Sequence, residues 1–213
     1  MDVLSDLLHR ARAKNALVRQ LIQRPPWSLS FTDPPPLTLV TTLAGHASVR
    51  IDDAGTTPVR LAVGDIALIT GPGRYTIADG PSTPPQVVIH GRRKSVADGS
   101  VEAPATQRNV APCTYSDGLP GATVMLRGAY DLRGDVGDRL LGMLPQLAVV
   151  PAGPATRAAR DLLATEATRD EPGQDAVLDR LLDLLLVLAL RAWCADAETT
   201  PAWYQALADP PIG

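Results

Sequence analysis

The stretch LTLVTTLAGHASVRIDDAGTTPVRLAVGDIALITGPGRYTIA, residues 37–78, decides the fold. Its apolar runs LTLVTTLA (37–44), ASVRID (47–52), VRLAV (59–63), DIALIT (65–70) and YTIA (75–78) are short and rich in β-branched residues. Between them stand AGH, DDAGTTP and GPG. Short β-branched runs punctuated by Gly, Pro and Asp read as strands, and many at close spacing imply an all-β sandwich or barrel. The gaps are too short for helical crossovers, so the expected pairing is antiparallel.

The pattern extends outward on both sides. Upstream lie ALVRQLIQ (16–23) and WSLSF (27–31), set apart by RPP and DPPP; downstream lies QVVIH (86–90). Ahead of the strands, Leu4, Leu7, Leu8 and Ala11 recur at helical spacing behind Asp2, which reads as one short capped amphipathic helix. Residues 91–122 break the rhythm with a long polar segment, expected as a mobile insertion with a weak hairpin. ATVMLRGAY then supplies a last strand.

The C-terminal third reads as helical. DRLLGMLP is one or two turns ended by Pro145, and ATRAARDLLATEATR puts Ala155, Ala158, Ala159, Leu162 and Leu163 on one face. After the breaker EPGQ comes DAVLDRLLDLLLVLALRAWCADA, the strongest element of the chain. Leu178, Leu181, Leu185 and Leu188 form one stripe; Leu182, Leu186, Ala189 and Trp193 form another. A helix apolar on so much of its circumference must be covered on more than one side. The first stripe is therefore expected at a homodimer interface, the alternative being cover by the barrel and the preceding helix. Thr200 and Pro201 open a final short helix.

Composition narrows the function classes. The chain has 213 residues, a formal charge of −3, 45% hydrophobic and 20% charged residues, which suits one large domain or two small ones. A slightly acidic balance argues against a nucleic-acid binder standing by itself. No apolar stretch is long enough for a membrane span, and the start lacks the apolar core of a secretory signal. Two cysteines, Cys113 and Cys194, make no disulfide framework, so the expected location is the cytoplasm.

Little in the sequence supports chemistry. The three histidines, His9, His46 and His90, are scattered and make no HxH pair, so no metal is expected. No GxSxG elbow and no phosphate loop is present. Cys194 lies within an apolar helix and reads as buried and inert. Cys113 sits in the polar loop, either as a redox sensor or as a surface thiol of no consequence. These residues point to binding and association, with no catalytic residue and no cofactor.

Several segments, in order, then resemble one family. They are Asp2 to Leu8, the Arg24-Pro25-Pro26-Trp27 segment, Leu61 to Ile69 around Gly64-Asp65, and Leu141-Gly142-Met143-Leu144-Pro145. The long helix from Ala176 and the junction around Trp203 continue the series. Together they resemble the cupin-like N-terminal sensor domain of AraC-type bacterial transcription regulators. The resemblance implies a mainly β chain with helices. A short helix precedes a cupin-like antiparallel barrel of jelly-roll type over residues 1–136, and an antiparallel helix pair follows over 137–213. It also implies a helix-turn-helix DNA-binding part absent from this chain, and homodimerisation. Where related barrels place metal-binding histidines, this chain has Tyr75 and the sequence His46-Ala47-Ser48.

The expected role is therefore effector binding and dimerisation in a regulator that reaches DNA through that further domain, with no membrane partner. Trp27, Thr42, Tyr75 and His90 are the candidates to line a small-molecule cavity in the barrel, since an apolar pocket with a few polar anchors needs that mix. Trp27 also fits plain core. Two other classes stay open: a cupin-type isomerase or dioxygenase, and a dimerisation module with a filled barrel.

Overall fold

A computed structural model of the chain describes residues 14–52, 56–91, 93–96, 121–132, 135–166, 169 and 171–196. The N-terminal helix, most of the 91–122 segment with Cys113, and the helix expected after Thr200 lie outside the described residues. Strands β1 (Lys14–Gln23), β2 (Ser28–Thr32), β3 (Leu37–Ala44), β4 (Ala47–Ile51) and β5 (Val59–Leu61) come first. They are followed by β6 (Ile66–Thr70), β7 (Tyr75–Ala78), β8 (Val87–His90), β9 (Arg93–Val96) and β10 (Thr123–Asp131). Helix α1 (Asp135–Met143), strand β11 (Leu147–Val150), and helices α2 (Pro154–Glu166) and α3 (Gln174–Ala195) complete the order.

The strands make two sheets, β1-β10-β3-β6-β11 and β5-β4-β7-β2-β8-β9. Among the described residues no strand pairs from one sheet to the other, so the expected closed barrel is an open sandwich. Closure needs strands long enough to tilt across from sheet to sheet. Three of the four edge strands, β5, β9 and β11, have only three, four and four residues, while the edge strand β1 has ten. One pairing departs from the antiparallel expectation: β2 runs parallel to β8, with Leu29 opposite Val87 and Thr32 opposite His90. The short-gap argument governs strands that follow one another, whereas five strands separate β2 from β8.

Three layers result, and the first sheet is the middle one. Its strand β3 sends Leu37 and Leu39 toward the helices and Val40 toward the second sheet. This period of two follows from the pleat. Ile66 and Leu68 of β6 take the helix side; Ala67 and Ile69 take the other. A strand covered on both faces needs a nearly continuous apolar run, which is what LTLVTTLA and DIALIT supply. One core fills the space between the sheets and includes Trp27, Phe31, Val40, Tyr75 and Met125. A second joins the outer face of the first sheet to Leu163 of α2 and to Leu182, Leu185, Leu186 and Ala189 of α3.

The boundary expected between residues 136 and 137 does not separate two cores. Strand β11 lies beyond it and pairs antiparallel with β6, and α2 and α3 pack on the same sheet. The turn at Gly64-Asp65 ties these parts together. Gly64 has φ 92°, and a Cβ there would stand 2.8 Å from Ala152 Cβ and collide with Arg160. Only glycine takes that backbone and that approach without strain. Asp65 accepts hydrogen bonds from the amides of Ala62 (2.8 Å) and Ala152 (2.9 Å), linking the turn to the start of α2.

Candidate functional site

The space between the sheets is apolar in the main, and its polar groups stand out for that reason. Strand β10 contributes Met125 to the inter-sheet core while Leu126 and Tyr130 join the helix-side core. The same alternation sends Arg127 inward, next to Met125 in the pattern and opposite Val40 of β3. Arg127 is half-buried. Its Nε donates to the Tyr75 hydroxyl at 3.0 Å. Its guanidinium carbon lies 4.6 Å from the centroid of the Phe31 ring. Phe31 in turn stacks on Tyr75, with centroids 4.7 Å apart and planes 17° from parallel.

This cluster follows from strand register. Phe31 and Tyr75 are opposed residues of the antiparallel pair β2–β7, so their rings share a face and are near neighbours. An arginine plane over an aromatic face gains cation–π attraction, worth most when water is excluded. Among the described residues no carboxylate pairs with Arg127. Among the described residues its neighbours are ring faces and one neutral oxygen.

Two unpartnered hydroxyls lie on the strand face opposite that charge. Thr38 and Thr42 lie two residues either side of Val40, on the same face of β3, and both are fully buried. Neither hydroxyl has a partner among the described residues, and the same holds for the indole nitrogen of Trp27. Buried polar atoms without partners are uncommon and costly, so a group of them in one space marks a place that can receive polar ligand atoms.

The structure thus places Trp27, Thr42 and Tyr75 on the inter-sheet side. It does not bring His90 to them. Val87 and Ile89 of β8 pack toward the inter-sheet core, so His90 falls on the opposite face. There it is exposed, with Nδ1 2.5 Å from the Thr32 hydroxyl. The expectation of His90 as a cavity residue is corrected by the pleat of β8 itself. The outer face of the second sheet carries instead a polar line: Ser30 and Thr76 hydroxyls at 2.8 Å, and Thr76 donating to Asp52 at 3.1 Å.

Among the described residues, the side chains do not fit the metal that cupin barrels often hold. His46 is exposed in the turn between β3 and β4, His90 is on the outer face, and the Tyr75 oxygen faces the positive charge of Arg127. Among the described residues no three His, Cys, Asp or Glu side chains are grouped to hold a metal ion. Cys194 is buried on α3, and burial pushes its thiol up from the ordinary value, away from a reactive thiolate.

The helical stripe is distributed differently from the expectation. Leu185 is fully buried within the chain, in the helix-side core. It is unavailable to a second copy. Leu178, Leu181 and Leu188 are partly buried against that same core. The exposed apolar residues of α3 are Val177 and Leu184, at 44% and 45% exposure. Sheet and helix α2 supply the cover that the stripe needs at Leu185. Among the described residues no helix is long and apolar enough to cross a membrane.

Comparison with known proteins places this geometry in context. A family model described as Cupin matches residues 2–195. A protein of Streptomyces lividans named as an AraC-like transcription regulator is 24% identical over the whole chain, and one of Streptomyces antibioticus with the same name is equally similar. The chain spans 66% of the length of these curated relatives. Among solved structures, apo ToxT from Vibrio cholerae is similar with a TM-score of 0.44 at 10% identity, over 82% of this chain and 55% of that one.

Proposed function

We propose, from the premise that this chain belongs to the Cupin family matched over residues 2–195, that it senses a small-molecule effector within an AraC-like transcription regulator. The carrying observation is the polar set on the inter-sheet side: a half-buried Arg127 with no carboxylate partner among the described residues, and the unpartnered hydroxyls of Thr38 and Thr42 on the face of β3 that it opposes. A core built only for stability has no use for these groups. The similarity to AraC-like regulators over the whole chain supports the regulatory role. In this reading the chain is not an enzyme, acts in the cytoplasm, and affects DNA through a helix-turn-helix domain outside the 213 residues.

Strand β10 gives the reading a mechanism. Its inward residues meet the effector, and its outward residues Leu126, Gly128 and Tyr130 meet α3. An effector that binds one arrangement of β10 and α3 better than another shifts the population between them, and only that difference in affinity does so. Self-association belongs to the same proposal, on the face of α3 that carries Val177, Leu181, Leu184 and Leu188 at helical spacing. Leu181 and Leu188 of the expected stripe lie there.

The test is thermal unfolding of the chain across a set of small metabolites. The expected result is a raised midpoint for a small group of related compounds, reduced by Trp27→Leu or Tyr75→Phe. A midpoint that no compound moves overturns the sensor reading and leaves a dimerisation module.

A further inference from the structure

The chemistry of the effector is legible at Arg127. A guanidinium presents its donors as a flat fork. Here Nε is committed to Tyr75 and one face to Phe31. The two Nη groups, the part of the fork that matches a carboxylate, have no acceptor among the described residues. The fully buried hydroxyls of Thr38 and Thr42 lie on the same face of β3, two residues either side of Val40, which stands opposite Arg127, and they too have no partners among the described residues. Val40 and Met125 make the surroundings apolar.

From this arrangement we infer that the inter-sheet space binds an organic monocarboxylate. Its carboxylate is held bidentately by the Nη edge of Arg127, one oxygen also receives a threonine hydroxyl, and its apolar body lies among the core side chains. The inference rests on the effector reading and names the ligand class for it. A bidentate pair with arginine is the strongest ordinary carboxylate contact, and it neutralises a charge that has no carboxylate partner among the described residues. A single cation suits a single negative charge. A phosphate dianion calls for further cations or a helix N-terminus, and among the described residues neither accompanies Arg127 on this face. Tyr75 and Phe31 hold the fork in place before the ligand arrives, which lowers the ordering cost of binding.

The test uses two acids, sodium octanoate and sodium benzoate, and their neutral counterparts octanamide and benzamide. Each is added at millimolar concentration to the 213-residue chain while the unfolding midpoint is followed. The expected result is a rise of roughly 3 °C or more with at least one acid and none with its amide. Arg127→Gln loses the rise. Thr42→Val keeps the side-chain shape and removes a hydroxyl that has no partner, so it folds and binds the acid about fivefold more weakly. Equal shifts from acid and amide, or an acid shift that survives Arg127→Gln and Thr42→Val unchanged, overturn the carboxylate anchor and leave the effector reading intact. No shift from either acid also overturns the anchor, and the metabolite set then decides the sensor reading independently.

Discussion

The hydroxyl of Tyr130 donates a buried hydrogen bond of 2.8 Å to the carbonyl oxygen of Leu182. It joins the last sheet strand before the helices to the middle of α3. Two residues earlier on β10, Gly128 meets the side chain of the same leucine. Strand and helix are thus fixed to each other by one polar contact and one close apolar approach at a single point.

The apolar approach predicts a steric result. A Cβ on Gly128 would lie 2.6 Å from Leu182 Cδ1, closer than real Cβ atoms come. Gly128→Ala should destabilise the chain by roughly 1–3 kcal/mol, the usual range for overpacking a core. Leu182→Ala in the same chain should cost less than it does when Gly128 is kept, because the two changes share one volume. Urea unfolding of the four proteins of the cycle measures this coupling.

The polar contact predicts a dependence on alkaline pH. Burial, and then the charges of Asp183 and Asp179, push the Tyr130 hydroxyl well above its ordinary value of 10.0. In the unfolded chain the phenol ionises near that value; in the folded chain it keeps its proton. Above it the folded state binds more protons, so stability falls as pH rises. Tyr130→Phe should cost about 1 kcal/mol at neutral pH, the usual worth of one hydrogen bond. It should also flatten the decline of the urea midpoint above that pH.

Asp183 works in the opposite half of the pH range. Burial raises its carboxyl above the ordinary 3.8, Arg180 lowers it, and Asp179 raises it again. Arg180 is too distant to offset burial, at 3.7 Å and largely exposed. The folded state then holds a proton that the unfolded chain has lost just above 3.8, and stability falls as pH rises through that window. Asp183→Asn should raise the thermal midpoint at neutral pH. The gain should vanish below 3.8, where both states are protonated. Calorimetry at two pH values decides it.

Neighbouring leucines on α3 should respond in contrasting ways. Leu185 is fully buried within the chain, whereas Leu184 is 45% exposed. Leu185→Asp puts a charge into an apolar core and should unfold the protein outright. Leu184→Glu should leave it folded. If the proposed self-association uses that face, light scattering should show Leu184→Glu as a folded monomer beside a dimeric wild type; a wild-type monomer would remove the interface.

The strands from 27 to 78 were legible because their apolar runs are short and cleanly bounded. Strand β11, LAVV between Pro145 and Pro151, was missed because four residues carry too little periodicity to stand out among helices. Strand β9, RKSV, is polar and pairs with β8 at the sheet edge, inside the segment expected to hold a weak hairpin. His90 has a binding residue type but an outward position in β8, where Val87 and Ile89 already fix which side is inward. Arg127 had a readable signal. In ATVMLRGAY both sets of alternate residues are apolar, so a strand buried on both sides was carrying a charge inward. Leu185 was assigned to a partner because sequence shows how much cover a helix needs and not which element supplies it.

The division of β10 also bears on how such a protein changes over time. Odd-numbered residues of this strand, Met125 and Arg127, face the inter-sheet core, the ligand side of the proposed function; even-numbered ones, Leu126, Gly128 and Tyr130, face α3, its proposed output. Mutation can therefore rewrite what is sensed while the transmission stays intact, one residue away along the same backbone. A lineage built on this plan can inherit its response and diversify its stimulus.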